Sequence, residues 1–188
     1  MKTQEDQWMP CPQIDTKYPG LAYLCPLNEL IVAKKRDSLH NLFGNNIIGY
    51  TIYNGQGQKV FLAVQRKETK KEIKIFNSYG NEVIHMQRRA FCLNKLLVWA
   101  PPGRFVGSVH SKCLRVFIKN YKGDVLKIKP RGVFCCARDI FSEGDRIGEV
   151  VTRKCLHSIK NNVSVVFPFD LDVELKSILL GACFLIGY

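Results

Sequence analysis

The sequence is poor in acidic residues and lacks the short motifs that mark the common enzyme classes. It contains 16 Asp and Glu residues against 28 Lys and Arg residues. It has no GxSxG nucleophile elbow, no Walker phosphate loop, no GxGxxG opening a helix and no HExxH zinc motif. The four histidines are scattered, with no pair at the spacing of metal ligands. These absences predict a protein without a catalytic site.

The cysteines are arranged neither as a zinc site nor as a disulfide framework. Of the eight cysteines only Cys135 and Cys136 are adjacent, and the CxxC spacing of structural zinc sites does not occur. The first residues are polar and lack the apolar core of a secretory signal peptide. We therefore expect an intracellular protein that is not secreted and whose thiols are reduced.

The excess of positive charge predicts an anionic partner. The formal net charge is +12 and the sequence pI is about 9.4, which favours nucleic acid or an anionic membrane leaflet. The sequence has no aromatic RNA-binding strand motif and no helix-turn-helix pattern, so nucleic acid is the less favoured partner. The alternative is that the charge serves solubility only. The candidate lipid-surface residues form two basic clusters, which comprise Lys34, Lys35, Arg36, Arg66, Lys67, Lys70 and Lys71.

One turn pattern recurs along the chain, with an Asn followed three residues later by a Gly at 54–57, 77–80 and 120–123. These residue types suit a type I turn that is followed by a left-handed residue. Short runs of alternating apolar and polar residues flank each turn, so the pattern predicts β-hairpins. Ten or more short strands at this spacing indicate a sandwich or a closed barrel.

The end of the chain is apolar on every side. Residues 177–188 carry no charge, and Asp170 and Asp172 lie ahead of them as candidate helix N-caps. We predict a helix over 173–187, which is shorter than the roughly 20 apolar residues of a bilayer span. Such a helix is enclosed by the domain, by lipid or by a partner's groove, and a barrel around it would cover all its faces. The candidate core or membrane positions are Ile178, Leu179, Leu180, Phe184, Leu185 and Ile186.

Four segments resemble the phospholipid scramblase family: PGLAYL at 19–24, WAPPG at 99–103, FPFDLDV at 167–173 and LGACFLI at 180–186. They occur in the family's order over nearly the whole chain. The resemblance implies a mainly β, tubby-like fold, in which a closed antiparallel barrel of about twelve strands encloses a C-terminal apolar helix. It agrees with the barrel and helix inferred above. We divide the chain into a short, poorly ordered leader at 1–18 and a scramblase-like domain at 19–188.

The resemblance also implies a function. Family members are credited with ATP-independent, bidirectional and calcium-stimulated movement of phospholipids between leaflets. For this chain it implies an anionic phospholipid membrane as partner, at the cytoplasmic face of the plasma membrane or of other cell membranes, and it leaves a homo-oligomer open. The alternatives are a non-transporting, anionic-lipid-binding adaptor of the same fold and a nucleic-acid-binding regulator.

The family's special sites are reduced in this sequence. Calcium, the one cofactor that the resemblance implies, would have Asp170 with Asn161 and Asn162 as oxygen ligands, while Lys160 would oppose the metal. The family's palmitoylated cysteine clusters correspond here to Cys92 and to the pair Cys135 and Cys136, which are the candidate acylation sites. The segment that corresponds to the family's nuclear import signal has only Arg153 and Lys154 as basic residues, and we do not transfer that function.

Overall fold

The computed structural model describes residues 7–14, 17–89, 92–123, 125–132, 136–154 and 161–188. Alternating apolar runs form the strands, and the apolar C-terminal segment forms the one α-helix of these residues, α1 (Val173–Gly187). The strands are β1 Glu29–Ala33, β2 Ile47–Asn54, β3 Lys59–Arg66, β4 Glu72–Phe76, β5 Glu82–Arg89, β6 Cys92–Trp99, β7 Phe105–Lys112, β8 Arg115–Asn120, β9 Val125–Pro130, β10 Ala137–Ser142, β11 Asp145–Lys154 and β12 Asn161–Val166.

The strands close into a barrel. Each strand pairs antiparallel with the next along the chain, and β1 closes the sheet by pairing with both β2 and β12. In this register Leu30 lies opposite Asn54 on one side and opposite Val165 on the other. The predicted closed antiparallel barrel of about twelve strands around a C-terminal helix is therefore confirmed.

The recurring Asn and Gly turns have the expected local structure. The side-chain oxygen of Asn54 accepts hydrogen bonds from the backbone N–H groups of Gln56 and Gln58, and Asn77 repeats this arrangement. The fourth residue of the first turn, Gly57, has a φ of +80°, in the left-handed region that glycine adopts without a steric penalty. Short-range turn chemistry thus fixes the hairpins from which the barrel is assembled.

The helix α1 is the centre of the core. Ile178, Leu179, Leu180 and Phe184 are fully buried, while Leu185 and Ile186 are partly buried. Glycine at position 107 allows β7 to approach the helix closely, since a Cβ atom there would lie 2.6 Å from Ile178 Cδ1. Among the described residues, no helix is both long enough and apolar enough to cross a membrane.

Two short 3-10 helices and the residues before them lie against the barrel. The first 3-10 helix spans Pro19–Leu24 and the second Ser38–Phe43. Further towards the N-terminus, Trp8 forms a parallel bridge with Lys59 of β3. Residues 7–9 therefore follow the edge of a strand, although the division into a leader at 1–18 and a domain at 19–188 stays a prediction.

Candidate functional site

The two ends of the barrel differ in charge. At one end, which we call the basic end, α1 finishes and the hydroxyl of Tyr188 donates to the carbonyl of Val32. The described segments that join strands there carry more cations than acids, namely Lys34, Lys35, Arg36, Lys67, Lys70, Lys71 and Arg131 against Asp37 and Glu68. At the opposite end, where α1 begins, the described joining segments carry Arg104, Lys122, Glu143, Asp170 and Asp172.

A cavity of about 420 Å³ opens at the basic end, beside the last turn of α1. Cations from three parts of the chain line it, and no Asp or Glu side chain of the described residues does so. Its lining comprises Lys34, Ile48, Tyr50, Gln65, Thr69, Lys70, Lys71, Arg88, Gly187 and Tyr188. The arrangement suits an anion, because several unneutralised cations converge on one space.

Arg88 of β5 forms the inner wall of this cavity. One of its terminal nitrogens, Nη2, donates to the carbonyl of Phe184 in α1 at 3.3 Å, and its Nε atom is buried without a hydrogen-bond partner among the described residues. Burial lowers the pKa of the Arg88 guanidinium below its ordinary value. A partly buried cation with few hydrogen-bond partners is unfavourable by itself and gains from an anionic partner.

Another part of the cavity lining, on β2 and β3, is fixed by a short chain of hydrogen bonds. The Tyr50 hydroxyl donates to Gln65 Oε1 at 3.0 Å, and Gln65 Nε2 donates to the carbonyl of Lys70 at 3.0 Å. Burial raises the pKa of Tyr50 to about 12, so its hydroxyl stays neutral and adds no negative charge to the cavity. These bonds hold the segment that carries Lys70 and Lys71 against the barrel.

The structure brings three of the seven predicted basic residues together in this cavity. Lys34, Lys70 and Lys71 line the cavity, whereas Arg66 lines a neighbouring cavity that also contains Glu72 and Glu82. The other three lie on the same end: Lys67 donates to the carbonyl of Asn45, Arg36 donates to that of Gly44, and Lys35 is partly buried.

Two side chains whose contacts stand out in the structure escaped the sequence analysis. Arg88 follows Ile84 and Met86 at a period of two, and this alternation is the signal that would have placed it on the inner face of β5. Lys176 lies inside the barrel, fully buried, and its Nζ atom donates to four backbone carbonyls, those of Leu24, Cys25, Leu27 and Phe169. Burial lowers the pKa of Lys176.

A family model described as Scramblase matches residues 9–188, which is nearly the whole chain and includes every strand of the barrel, the basic cavity and α1. The chain belongs to the scramblase family. Its resemblance to that family, first seen in four short segments, is thus confirmed over the full domain.

Named relatives agree with this assignment, and one solved structure agrees with the fold. The chain is 32% identical to human phospholipid scramblase 1, over 96% of this chain and 69% of that protein. It is 32% identical to bovine phospholipid scramblase 2 (96% and 74%) and 31% identical to human phospholipid scramblase family member 5 (90% and 76%). An X-ray structure of an Arabidopsis thaliana protein covers 88% of this chain and 93% of its own, with a TM-score of 0.55 at 14% identity, and supports the fold.

The candidate calcium ligands Asn162 and Asp170 lie towards opposite ends of β12. Asn162 pairs with Ala33 at the basic end, whereas Asp170 is exposed beyond the other end of β12. The side chain of Asn161 lies outside the described residues, as does Lys160. Among the side chains that are described, no group of three or more His, Cys, Asp and Glu could hold a metal ion. The structure therefore does not bring Asp170 and Asn162 to one site.

The described parts of the candidate acylation cysteines, which are the backbone of Cys92 and the residue Cys136, lie at the basic end. The backbone of Cys92 begins β6 there, although its side chain lies outside the described residues, and Cys135 lies outside them altogether. Cys136 is exposed in the segment before β10, which also starts at the basic end. An acyl chain on Cys136 would therefore leave the protein beside the basic residues.

Proposed function

We propose that this scramblase-family protein acts on anionic phospholipid membranes and binds their headgroups with the basic end of its barrel. The observation that carries the proposal is the cavity in which Lys34, Lys70, Lys71 and Arg88 converge without an Asp or Glu side chain among the described lining. A phosphate group fits it chemically, since phosphate oxygens accept charge-assisted hydrogen bonds from the ammonium and guanidinium groups that line the cavity.

The placement of the other charges supports a membrane surface as the partner. Each Lys or Arg near an anionic leaflet contributes about 1 kcal/mol, and the basic end supplies several of them on one side of the molecule. A single acyl chain gives only marginal attachment, which a basic patch strengthens. Acylation at Cys136 would therefore add to the binding by this end at the cytoplasmic face of a cell membrane.

We extend the proposal to transport, because the relatives are named phospholipid scramblases. In our proposal ATP-independent, bidirectional lipid movement occurs while α1 remains inside the barrel. Removing α1 would expose Ile178, Leu179, Leu180 and Phe184, at roughly 1.5–3 kcal/mol for each large apolar side chain. The enclosure of α1 is also what favours the second candidate, a lipid-binding adaptor of the same fold without transport.

We further propose that membrane binding does not require calcium. The separation of Asp170 from Asn162 supports this, because calcium prefers six to eight oxygen ligands around one point.

The test uses the purified 188-residue chain and liposomes with or without phosphatidylserine, together with a leaflet-specific fluorescent lipid at zero and millimolar calcium. We expect salt-sensitive binding to the phosphatidylserine liposomes at zero calcium, and equilibration of the fluorescent lipid without ATP. Binding without equilibration would replace transport with the adaptor function. The absence of binding at low salt would overturn the proposal, and binding that occurs only with calcium would overturn its calcium-independent part.

A further inference from the structure

The two-residue turn between β7 and β8 carries an exposed apolar side chain on an unfavourable backbone conformation. Cys113 and Leu114 form this turn, with φ angles of +47° and +66°. A two-residue hairpin turn with positive φ at both positions ordinarily contains Asn and Gly, because a bulky side chain is strained there. Leu114 is 74% exposed, so its side chain does not offset this strain by packing on the barrel. The residues of the turn are therefore not those that stabilise the hairpin best.

Two cations lie directly opposite each other where this turn joins its strands. Lys112 ends β7, Arg115 begins β8, and the two residues are partners in the register of the hairpin. Both are exposed, and like charges in this arrangement repel each other and destabilise the strand pair. The sequences of the strands β6 to β9 contain no Asp or Glu that would neutralise them. An external anion bound by Lys112 and Arg115 would relieve the repulsion.

The turn belongs to the basic end of the barrel. Neighbouring strands are antiparallel, so β7 ends and β8 begins at the end where β5 finishes with Arg88 and Arg89. A third cation holds the turn in place, since Arg138 of β10 donates from Nη1 to the carbonyl of Leu114 at 2.8 Å. The turn and the anion cavity thus lie at the same end of the barrel, on different strands.

We propose that the β7–β8 turn inserts Leu114 into the interface of an anionic bilayer while Lys112 and Arg115 bind lipid phosphates. The inference rests on the proposed function, because it requires the basic end to face the membrane. A bilayer supplies both partners, since its phosphates meet the two cations and its acyl boundary takes up the leucine. A soluble anion would relieve only the charge repulsion, and an apolar protein surface would take up only Leu114. Cys113 then lies at the depth of the headgroups, where a small water-soluble reagent still reaches it.

A second hairpin turn provides a matched control at the opposite end of the barrel. Glu143 and Gly144 join β10 to β11, again with positive φ at both positions, +51° and +111°. Glu143 is exposed, and Asp145 directly follows the turn. The two turns thus share the sign of their φ angles but differ in charge, so an anionic leaflet would repel the second one.

The first experiment places a tryptophan in each of these turns in the 188-residue chain. Leu114→Trp and Glu143→Trp are mixed with phosphatidylserine vesicles that carry brominated acyl chains, which quench tryptophan fluorescence at contact distance. The native Trp8 bridges the first residue of β3 and Trp99 ends β6, both at the opposite end, and the unmodified protein measures their contribution. We expect the added fluorescence of Leu114→Trp to be quenched and blue-shifted. That of Glu143→Trp should remain unquenched, although this substitution removes an acid.

The second experiment removes the inserted side chain without weakening the fold. Cys113→Asn combined with Leu114→Gly installs the residues that this type of turn prefers, so it should raise the unfolding temperature by about 2–4 °C. The same variant should bind the vesicles about tenfold more weakly, because it lacks the inserted leucine. A gain in stability together with a loss of binding is not explained by unfolding. A turn with a merely structural role would gain stability and bind as before.

Four outcomes would overturn the inference, and they separate it from the proposed function. If the unmodified protein binds and the added fluorescence of Leu114→Trp is not quenched, insertion is wrong while headgroup binding stands. Unchanged binding of the double variant would likewise refute insertion alone. Quenching of Glu143→Trp in place of Leu114→Trp would mean that the opposite end faces the membrane, which contradicts both. If the unmodified protein does not bind the vesicles at low salt, the proposed function itself fails and the inference with it.

Discussion

The Nζ atom of Lys176 lies 2.8 Å from the carbonyl oxygen of Leu27, so a charged side chain of α1 is held inside the barrel by the segment that leads into β1. Three further carbonyls, those of Leu24, Cys25 and Phe169, surround the same nitrogen. This contact joins the start of α1 to the first 3-10 helix. Removal of α1 from the barrel would break these hydrogen bonds, which is a cost in addition to the loss of hydrophobic burial.

The first prediction is that Lys176→Met lowers the free energy of unfolding by about 3 kcal/mol or more. Methionine fills a similar volume but leaves buried carbonyls without donors, each at a cost of about 1–3 kcal/mol. Chemical denaturation measures the effect. Lys122→Met, at an exposed position of the opposite end, is the control and should change the unfolding free energy by less than about 0.5 kcal/mol. Equal effects of the two substitutions would contradict the role assigned to the Lys176 contacts.

The sequence predicted the barrel better than it predicted the functional surface, for a physical reason. At Asn54 and Asn77 the turn geometry is set by hydrogen bonds within four residues, so the local sequence was enough to predict it. The place of Lys176 was set by carbonyls more than a hundred residues away. A charged residue in the first turns of a helix is ordinarily solvated, and nothing nearby in the sequence indicates otherwise.

The second 3-10 helix is another case in which burial is set by residues distant in the sequence. Leu39, Leu42 and Phe43 have a spacing that ordinarily marks the buried face of a helix. The structure reverses the expectation: His40 is buried, since Ala63 and Asp37 supply hydrogen-bond partners for its ring, and the leucines face outwards. Arg88, in contrast, could have been placed from the alternation of β5.

The second prediction concerns pH. Burial alone would raise the pKa of Asp37, but hydrogen bonds from Lys59 and from the backbone of Leu39 outweigh it, so the pKa lies below its ordinary value. The unfolded chain therefore takes up this proton first as the pH falls. The stabilisation by Asp37 is complete above about pH 4 and is lost as the pH falls through the lower folded-state pKa.

Asp37→Asn isolates this charge, because asparagine can still cap the second 3-10 helix. The substitution should cost about 2 kcal/mol at neutral pH, the typical value for a hydrogen bond to a charged group. The difference from the unmodified protein should shrink below about pH 4. Urea denaturation between pH 3 and pH 7 measures it, with the exposed acid Glu143 changed to Gln as control. A constant difference across this range would rule out the ion pair as its cause.

The third prediction asks whether vesicle binding depends on the position of the cavity cations or only on the net charge of the protein. Lys70→Glu with Lys71→Glu should weaken binding to phosphatidylserine vesicles about thirtyfold or more, because two contributions of about 1 kcal/mol are replaced by repulsion. Lys119→Glu with Lys122→Glu makes the same change in net charge near the opposite end and should weaken binding less than about threefold. Vesicle sedimentation at fixed ionic strength compares them. Similar losses in both pairs would show that only net charge matters.

The fourth prediction uses the thiols as reporters of whether α1 leaves the barrel. Burial raises the pKa of Cys183 to about 12, so its reactive thiolate is scarce and inaccessible. Cys11, Cys113 and Cys136 are exposed. Iodoacetamide at pH 8 should modify these three and spare Cys183 until urea is added, both in solution and on phosphatidylserine vesicles, as peptide mass spectrometry can show. Rapid modification of Cys183 on vesicles alone would mean that the membrane releases α1.

The fifth prediction compares one substitution at two leucines. Leu180 is fully buried in α1 and Leu42 is the most exposed large apolar side chain of the described residues. Leu180→Asp should abolish the folded state, since an unpaired buried carboxylate costs more than about 4 kcal/mol of a total of about 5–15 kcal/mol. Leu42→Asp should leave the circular dichroism spectrum and the unfolding midpoint unchanged, because this side chain is exposed.

The milder change Leu180→Ala supplies a measurable cost, expected at about 2–5 kcal/mol. If α1 were instead a membrane anchor that leaves the barrel intact in solution, both substitutions at Leu180 would preserve the fold and reduce only membrane binding. Comparing the substitutions at the two leucines therefore distinguishes an α1 that lies in the barrel core from an α1 that lies in the bilayer. A folded Leu180→Asp protein would assign α1 to the bilayer, whereas its unfolding, with Leu42→Asp still folded, assigns α1 to the core.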